Sequence, residues 1–207
     1  MSQSESDNAP DPSPAPALDP DRLSAILAFL DGAEALKDTL RSGATRRGRR
    51  ESTAEHTWRL ALMAMLLARE TPDCDPLRLI RMCLAHDLGE ALSGDVSAVD
   101  QRPGDGREAR ERADLETLCA PLPADLRAEI LDLCADYAAG ESPEARAAKG
   151  LDKLETVLQH AVGANPPGFD LGFNLDYGRD RTGATPLLRT LRGMADARTR
   201  AAMARGA

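Results

Sequence analysis

His86 and Asp87 are adjacent, and they lie in the otherwise largely apolar stretch Leu84–Glu90. Imidazole and carboxylate groups are good ligands for a divalent metal, and both are unfavourable to bury without a partner. Taken alone, His86 could equally be a hydrogen-bonded histidine of the core. The metal interpretation therefore depends on whether the chain supplies further ligands.

The chain has three histidines, and His56, like His86, belongs to a predicted helix. Asp152 lies in a third helical run, so the order His, His-Asp, Asp forms a possible four-ligand set from three helices. Mixed nitrogen and oxygen ligands suit Mn, Fe, Co, Ni or Zn better than Ca or Mg. The third histidine, His160, matches no part of this pattern and is predicted to be structural or exposed.

The segments around these residues resemble the HD-domain metal-dependent phosphohydrolases. More narrowly, they are similar to the 5′-deoxynucleotidase branch, which includes the HD domain-containing protein 2-like proteins. The similar segments, in order, are Glu51–His56, Ala85–Glu90, Gly94-Asp95 and Leu151–Glu155. An isolated His-Asp pair is a weak signal, whereas an ordered set with these flanking residues is specific. The resemblance covers about two thirds of the chain.

This resemblance implies an enzyme that releases phosphate from (deoxy)nucleoside 5′-monophosphates with one divalent transition metal: Mn, Co, Fe, Ni or Zn. The implied metal ligands are His56, His86, Asp87 and Asp152. The implied catalytic carboxylates are Glu90 and Asp95, because the chemistry needs one group to steer and deprotonate water and another to protonate the departing oxygen. Without the resemblance, Glu90 would be interpreted as a solvated helix end and Asp95 as a turn residue.

Three further residues are predicted to bind substrate. Arg41 matches a family arginine that reaches the phosphate, and a guanidinium can bind two phosphate oxygens at once. Asp136 and Lys153 are candidates for the sugar and the phosphate. The family tryptophan near Arg41 is absent here, so weak base discrimination is expected. The family proline after Asp95 is also absent, so a less rigid loop is expected there.

The composition limits the partners. The 207 residues carry a formal net charge of −8 with a pI near 5.0, which argues against a nucleic-acid surface. Aromatic residues make up 3%, so no base-stacking platform is expected. Without a membrane-length apolar run or signal-peptide pattern, we expect a cytoplasmic protein with a small nucleotide substrate and no membrane partner. The four cysteines form no C-x-x-C pair and are expected to be free thiols.

The elements that must position these residues are predicted to be helical. Residues 1–19 are Pro-, Ser- and Asp-rich and are predicted to be a disordered tail, followed by one all-α HD domain of six to eight helices over residues 20–205. The segment Arg41–Arg50 is interpreted as a loop, and no strand is predicted. A long helix from Ser52 or Thr53 is expected to use Trp58, Leu62, Met65 and Leu66 as its apolar face.

The last helix carries an apolar stripe of Leu187, Leu188, Leu191 and Met194. Intrachain packing is the favoured use of this stripe, with docking of a second copy as the alternative. A homodimer is predicted from the resemblance alone. Two other functions stay open: a nucleotide phosphodiesterase or pyrophosphohydrolase on the same scaffold, and a non-catalytic nucleotide-binding protein. The first often needs a second, His-rich metal site, and the second predicts loss of Glu90 or Asp95.

Overall fold

Seven helices of ten or more residues account for most of the chain in this computed structural model, which describes residues 18–102 and 104–206. They are α1 (Pro20–Ala33), α2 (Thr53–Leu66), α3 (Pro76–Ala85), α5 (Arg107–Leu118), α6 (Ala124–Ala139), α7 (Pro143–Val162) and α9 (Pro186–Gly206). Single helical turns form α4 (Glu90–Ser93) and α8 (Arg179–Thr182). The all-α class is confirmed, whereas the predicted tail lies, apart from residues 18 and 19, outside the described residues.

Local capping residues explain where several helices begin. At α2 the Ser52 hydroxyl accepts from the Glu55 amide and the Glu55 carboxylate accepts from the Ser52 amide, which forms a capping box. Asp19 caps α1, Asp75 caps α3 and Ser142 caps α7, in each case just before a proline at the first turn. These starts are encoded locally, and they fix where the helices carrying the site residues begin.

The predicted loop over residues 41–50 is instead largely a β-hairpin. β1 (Leu40–Ala44) pairs antiparallel with β2 (Arg50–Ser52), and Gly48 supplies the positive φ of 84° in the turn between them. The prediction of no strand was therefore wrong. The Arg-rich sequence shows no alternation of apolar and polar residues. The hairpin is held together by the hydrogen bonds between its strands and has no apolar face of its own.

Helix α7 lies at the centre of the main core. Leu151, Leu154 and Val157 are fully buried against α2, α3 and α9. Helix α9 approaches so closely that a Cβ at Gly150 would lie 2.4 Å from Cδ1 of Leu188. In the apolar stripe of the last helix, Leu188 therefore packs within the chain, as the sequence analysis favoured, while Met194 is exposed.

The predicted apolar face of α2 was wrong. Trp58 is 63% exposed and Met65 is 53% exposed, whereas the buried face includes His56, Leu60 and Ala64. These three residues follow the i, i+4, i+8 spacing of one helix face. A histidine stands at the first of these buried positions, so hydrophobic periodicity alone selected the opposite face.

Within residues 18–102 and 104–206, no helix combines the length and the apolar character needed to cross a bilayer.

Candidate active site

The fold brings the four predicted metal ligands together. His56 lies in the first turns of α2, His86 and Asp87 directly follow α3, and Asp152 lies on α7. The Nε2 atom of His56 is 3.2 Å from Oδ1 of Asp152 and 3.7 Å from Oδ2 of Asp87. The Nε2 atom of His86 is 3.1 Å from Oδ1 of Asp87. Three separate parts of the sequence therefore point nitrogen and oxygen donors at one place.

The donor atoms themselves indicate that a metal fits here. The Nε2 atoms of His56 and His86 and Oδ2 of Asp87 are buried, and none has a hydrogen-bond partner among the described residues. Leaving one such polar atom unpaired in a protein interior costs about 1–3 kcal/mol. One ligand atom each from His56, His86 and Asp152 lies within 4.8 Å of the other two. A cation at this position would satisfy all of these groups together.

Outer hydrogen bonds orient both imidazoles for this role. Nδ1 of His56 donates to Oε2 of Glu155 over 2.5 Å, and Nδ1 of His86 donates to the Cys83 carbonyl over 3.1 Å. Each bond assigns the proton to Nδ1 and leaves the lone pair of Nε2 available to coordinate a metal, as in many metal sites. Arg59 holds the other Glu155 oxygen at 2.9 Å. Sequence reasoning gave Glu155 no role, although its i+3 spacing from Asp152 places the two on one side of α7.

A second set of possible metal ligands, Glu51 with His56 and Glu155, also has donor atoms within 4.8 Å of one another. Glu155 in that group is already paired with the His56 ring and with Arg59. Burial and the Glu155 carboxylate raise the pKa of Glu51 to about 7. We therefore assign this group to the support of His56.

Asp152 is held by its own partners. Its Oδ2 accepts from the Tyr137 hydroxyl at 2.9 Å and from Nζ of Lys153 at 2.8 Å, which leaves Oδ1 facing His56. Burial opposes the negative charge of Asp152, but the neighbouring Lys153 holds its pKa well below the usual value. The carboxylate is thus ionised, as a metal ligand requires.

Glu90 and Asp95 lie beside this centre. Glu90 is buried at the start of α4, and its Oε2 accepts from the Thr53 hydroxyl at 3.0 Å. Burial, together with the charges of Asp87 and Asp95, raises the pKa of Glu90 to about 9. Burial also raises the pKa of Asp95. Titratable groups with perturbed pKa values in a cleft are typical of catalytic acids and bases.

Arg41 extends from β1 into the same space. Its Nη2 donates to the Thr156 hydroxyl at 3.1 Å, while Nη1 lies 3.7 Å from Asp87 and Nε lies 3.8 Å from Glu51. Burial opposes the positive charge, but Asp87 and Asp152 hold the Arg41 pKa above its ordinary value. A guanidinium held this way remains cationic next to the metal ligands.

A cavity of about 1100 Å³ opens in front of these groups. Seven of the nine predicted site residues line it: Arg41, His86, Asp87, Glu90, Asp95, Asp152 and Lys153. His56 is fully buried behind it. Asp136 does not line it, because its carboxylate is turned away to accept from Arg78 at 2.8 Å, and the next residue, Tyr137, points inward instead. Cavities of roughly 300–1,000 Å³ hold small ligands, so this one has room for a nucleotide.

The helical bundle brings His and Asp donors together where they could hold a metal ion beside a cavity. The chain belongs to the HD domain family, whose model matches residues 33–188.

Similar proteins agree with this assignment. The chain is 34% identical over 137 residues to the human 5′-deoxynucleotidase HDDC2, covering 65% of this chain and 66% of that protein. It is 30% identical over 145 residues to the protein of that name from Dictyostelium discoideum, covering 66% and 76% of the two chains. A crystal structure described as a predicted metal-dependent phosphohydrolase from Magnetospirillum magnetotacticum superposes with a TM-score of 0.77 at 33% identity, covering 90% and 95%. The predicted family and hydrolase class are confirmed, while the match spans about two thirds of the curated relatives.

Proposed function

We propose that this chain is a metal-dependent phosphohydrolase that releases phosphate from (deoxy)nucleoside 5′-monophosphates. One observation carries the proposal: unpaired, buried donor atoms of His56, His86 and Asp87 converge next to two carboxyl groups and a half-buried arginine. The names of the curated relatives, 5′-deoxynucleotidases, support the substrate class.

The proposed cofactor is one divalent transition metal, Mn, Co, Fe, Ni or Zn, bound by His56, His86, Asp87 and Asp152. Two imidazoles and two carboxylates balance its charge, and mixed nitrogen and oxygen donors favour these metals over Ca or Mg. When bound, such an ion supplies Lewis acidity toward a phosphoryl oxygen and toward water.

The residues of the chain have separate roles in this proposal. Arg41 and Lys153 bind the phosphate oxygens and offset their charge as it redistributes in the transition state. Glu90, held by the Thr53 hydroxyl beside the metal ligands, donates a proton to the departing sugar oxygen. Asp95 orients the attacking water from the opposite end of α4.

Metal analysis of the purified protein followed by a substrate panel tests this function. We expect one transition metal per chain and fastest phosphate release from nucleoside 5′-monophosphates, with little from 3′-monophosphates or cyclic nucleotides. A metal-free protein that remains active in chelator would contradict the metal. Faster turnover of a cyclic nucleotide or a triphosphate than of any 5′-monophosphate would contradict the monophosphatase.

Arg41→Lys is expected to lower kcat/KM for 5′-monophosphates roughly 10- to 100-fold with the metal retained, since hydrogen bonds to charged groups contribute about 1.5–3 kcal/mol. Lysine keeps the charge but loses the fork that binds two oxygens. Arg47→Lys, at an exposed position of the same segment, is the matched control and should leave the rate unchanged. Equal losses in both variants would show that Arg41 does not bind the phosphate.

The alternatives have less support. A His-rich two-metal site needs more histidines than the chain has, and Nδ1 of His160 already donates to Oδ1 of Asn174 at 2.8 Å. A non-catalytic protein would not need Glu90 and Asp95, and both line the cavity.

For the chain as a whole, we propose residues 20–205 as the HD domain, with residues 1–19 as a tail, and a cytoplasmic homodimer without nucleic-acid partners. All four cysteines are free, in keeping with a reducing compartment. Met194, from the apolar stripe of the last helix, is exposed and offers apolar surface for a second copy. A monomer mass in solution scattering at micromolar concentration would contradict the dimer.

A further inference from the structure

The few aromatic residues of this chain are concentrated in the cavity. The sequence has one Trp, two Tyr and three Phe, and four of these six line the cavity: Tyr137, Phe169, Phe173 and Tyr177. The low aromatic content led us to expect no base-stacking platform. The fold gathers enough aromatic side chains at one place to form one.

Three of the four aromatics come from one segment, residues 169–177, which follows α7. Phe173 stacks on Tyr177 with ring centroids 5.0 Å apart and an interplanar angle of 29°. Lys153, beside Asp152, places its Nζ 5.3 Å from the Tyr177 ring centroid. A continuous series of contacts therefore runs from the metal ligands through Lys153 and Tyr177 to Phe173. Both rings are partly exposed, but Tyr177 has a neighbour on each side, Lys153 and Phe173, whereas Phe173 is the last residue of this series.

Phe169 occupies a neighbouring position on the cavity wall. Its ring meets the His160 ring edge to face, with centroids 4.8 Å apart, and His160 is held in turn by Asn174. This explains why His160, which the metal pattern left unassigned, is buried next to the site. Phe169 and Phe173 both line the cavity, four residues apart.

The segment that carries these rings is held rigidly. Arg192 of α9, only 5% exposed, donates to the carbonyls of Asn174 at 2.7 Å and Leu175 at 2.8 Å, and to Asp196 at 2.7 Å. The Asp170 carboxylate accepts from the amides of Gly172 and Phe173 at 2.8 and 3.2 Å. A buried arginine at one end and an aspartate cap at the other fix the backbone. A ring on such a support can bind a flat ligand with little loss of conformational freedom.

We propose that Phe173, with Phe169 beside it, forms the base-binding wall of the cavity, on which the nucleobase of a 5′-monophosphate stacks. The inference rests on the proposed function and extends it to the base. The phosphate end of the ligand lies at Arg41 and Lys153, and the series of contacts through Tyr177 leads from there to Phe173. This wall replaces the aromatic side chain that is absent next to Arg41. Base stacking on aromatic rings tolerates different bases, so the enzyme should accept purines and pyrimidines.

The test compares 2′-deoxyadenosine 5′-monophosphate with 2-deoxyribose 5-phosphate, which has the same phosphate and sugar but no base. In Phe173→Ala, and to a smaller degree in Phe169→Ala, we expect KM for the nucleotide to rise roughly 10-fold or more with kcat little changed. Kinetics with deoxyribose phosphate should stay the same. Phe173→Tyr should retain the wild-type KM, whereas Phe173→Leu, which keeps the apolar volume without the ring, should resemble the alanine variant.

Trp58→Ala removes an exposed aromatic residue outside the cavity and should change neither substrate. If Phe173→Ala affects both substrates equally, or affects neither, the base wall is refuted while the phosphohydrolase remains. If the wild-type protein releases no phosphate from any nucleoside 5′-monophosphate, the proposed function itself fails. The two failures are therefore distinguishable.

Discussion

Asp152→Ala is expected to remove both the metal and the activity. The substitution deletes a charged ligand whose Oδ1 faces His56, and it leaves Lys153 and the Tyr137 hydroxyl without their shared partner. Losing an outer hydrogen-bond partner already lowers metal affinity about 10–100-fold, so loss of the ligand itself should exceed roughly 100-fold. Metal content by elemental analysis and phosphate release from a 5′-monophosphate measure the two effects.

Asp136→Ala is the matched control. Asp136 also has a carboxylate held by a cation, but its partner is Arg78 and it lies outside the cavity wall. We expect full metal content and near wild-type turnover, with an unchanged helical circular dichroism signal in both variants. Retention of one metal per chain by folded Asp152→Ala would remove Asp152 from the ligand set. A strong loss of turnover in Asp136→Ala would instead support its predicted role in substrate binding.

Glu90→Gln is expected to separate catalysis from metal binding. The change keeps the size of the side chain and its contact with Thr53, but it removes the group that can carry a transferable proton. Loss of a general acid or base typically lowers the rate about 10²–10⁴-fold. We expect a fall in kcat of that size with metal content unchanged.

Glu129→Gln provides the comparison for this variant. Glu129 pairs with Arg81 at the surface, away from the cavity, and its replacement should leave kcat unaltered. Parallel loss of metal and rate in Glu90→Gln would instead identify Glu90 as a ligand. A rate within a factor of two of the wild type would exclude it from the chemistry.

The sequence by itself determined the helical class and predicted the set of metal ligands. His56, the adjacent His86 and Asp87, and Asp152 were predicted as ligands from residue type, order and family resemblance, because few side chains can bind a metal. Helix starts at Asp75 and elsewhere followed from capping residues, whose hydrogen bonds reach only two or three positions along the chain. Because these signals involve only neighbouring residues, they can be predicted from the sequence alone.

Only the tertiary structure decided which way the side chains face and which distant segments meet. The buried face of α2 carries His56, and Trp58 is exposed, because α7 supplies the partners of the histidine. Asp136 turns to Arg78, 58 positions away, and leaves Tyr137 to face the site. The aromatic wall depends on Arg192 binding the carbonyls of a segment some 17 or 18 residues earlier. These contacts join residues far apart in the chain, so no local sequence pattern encodes them. Where periodicity does not decide which helix face is buried, packing against the rest of the chain decides it.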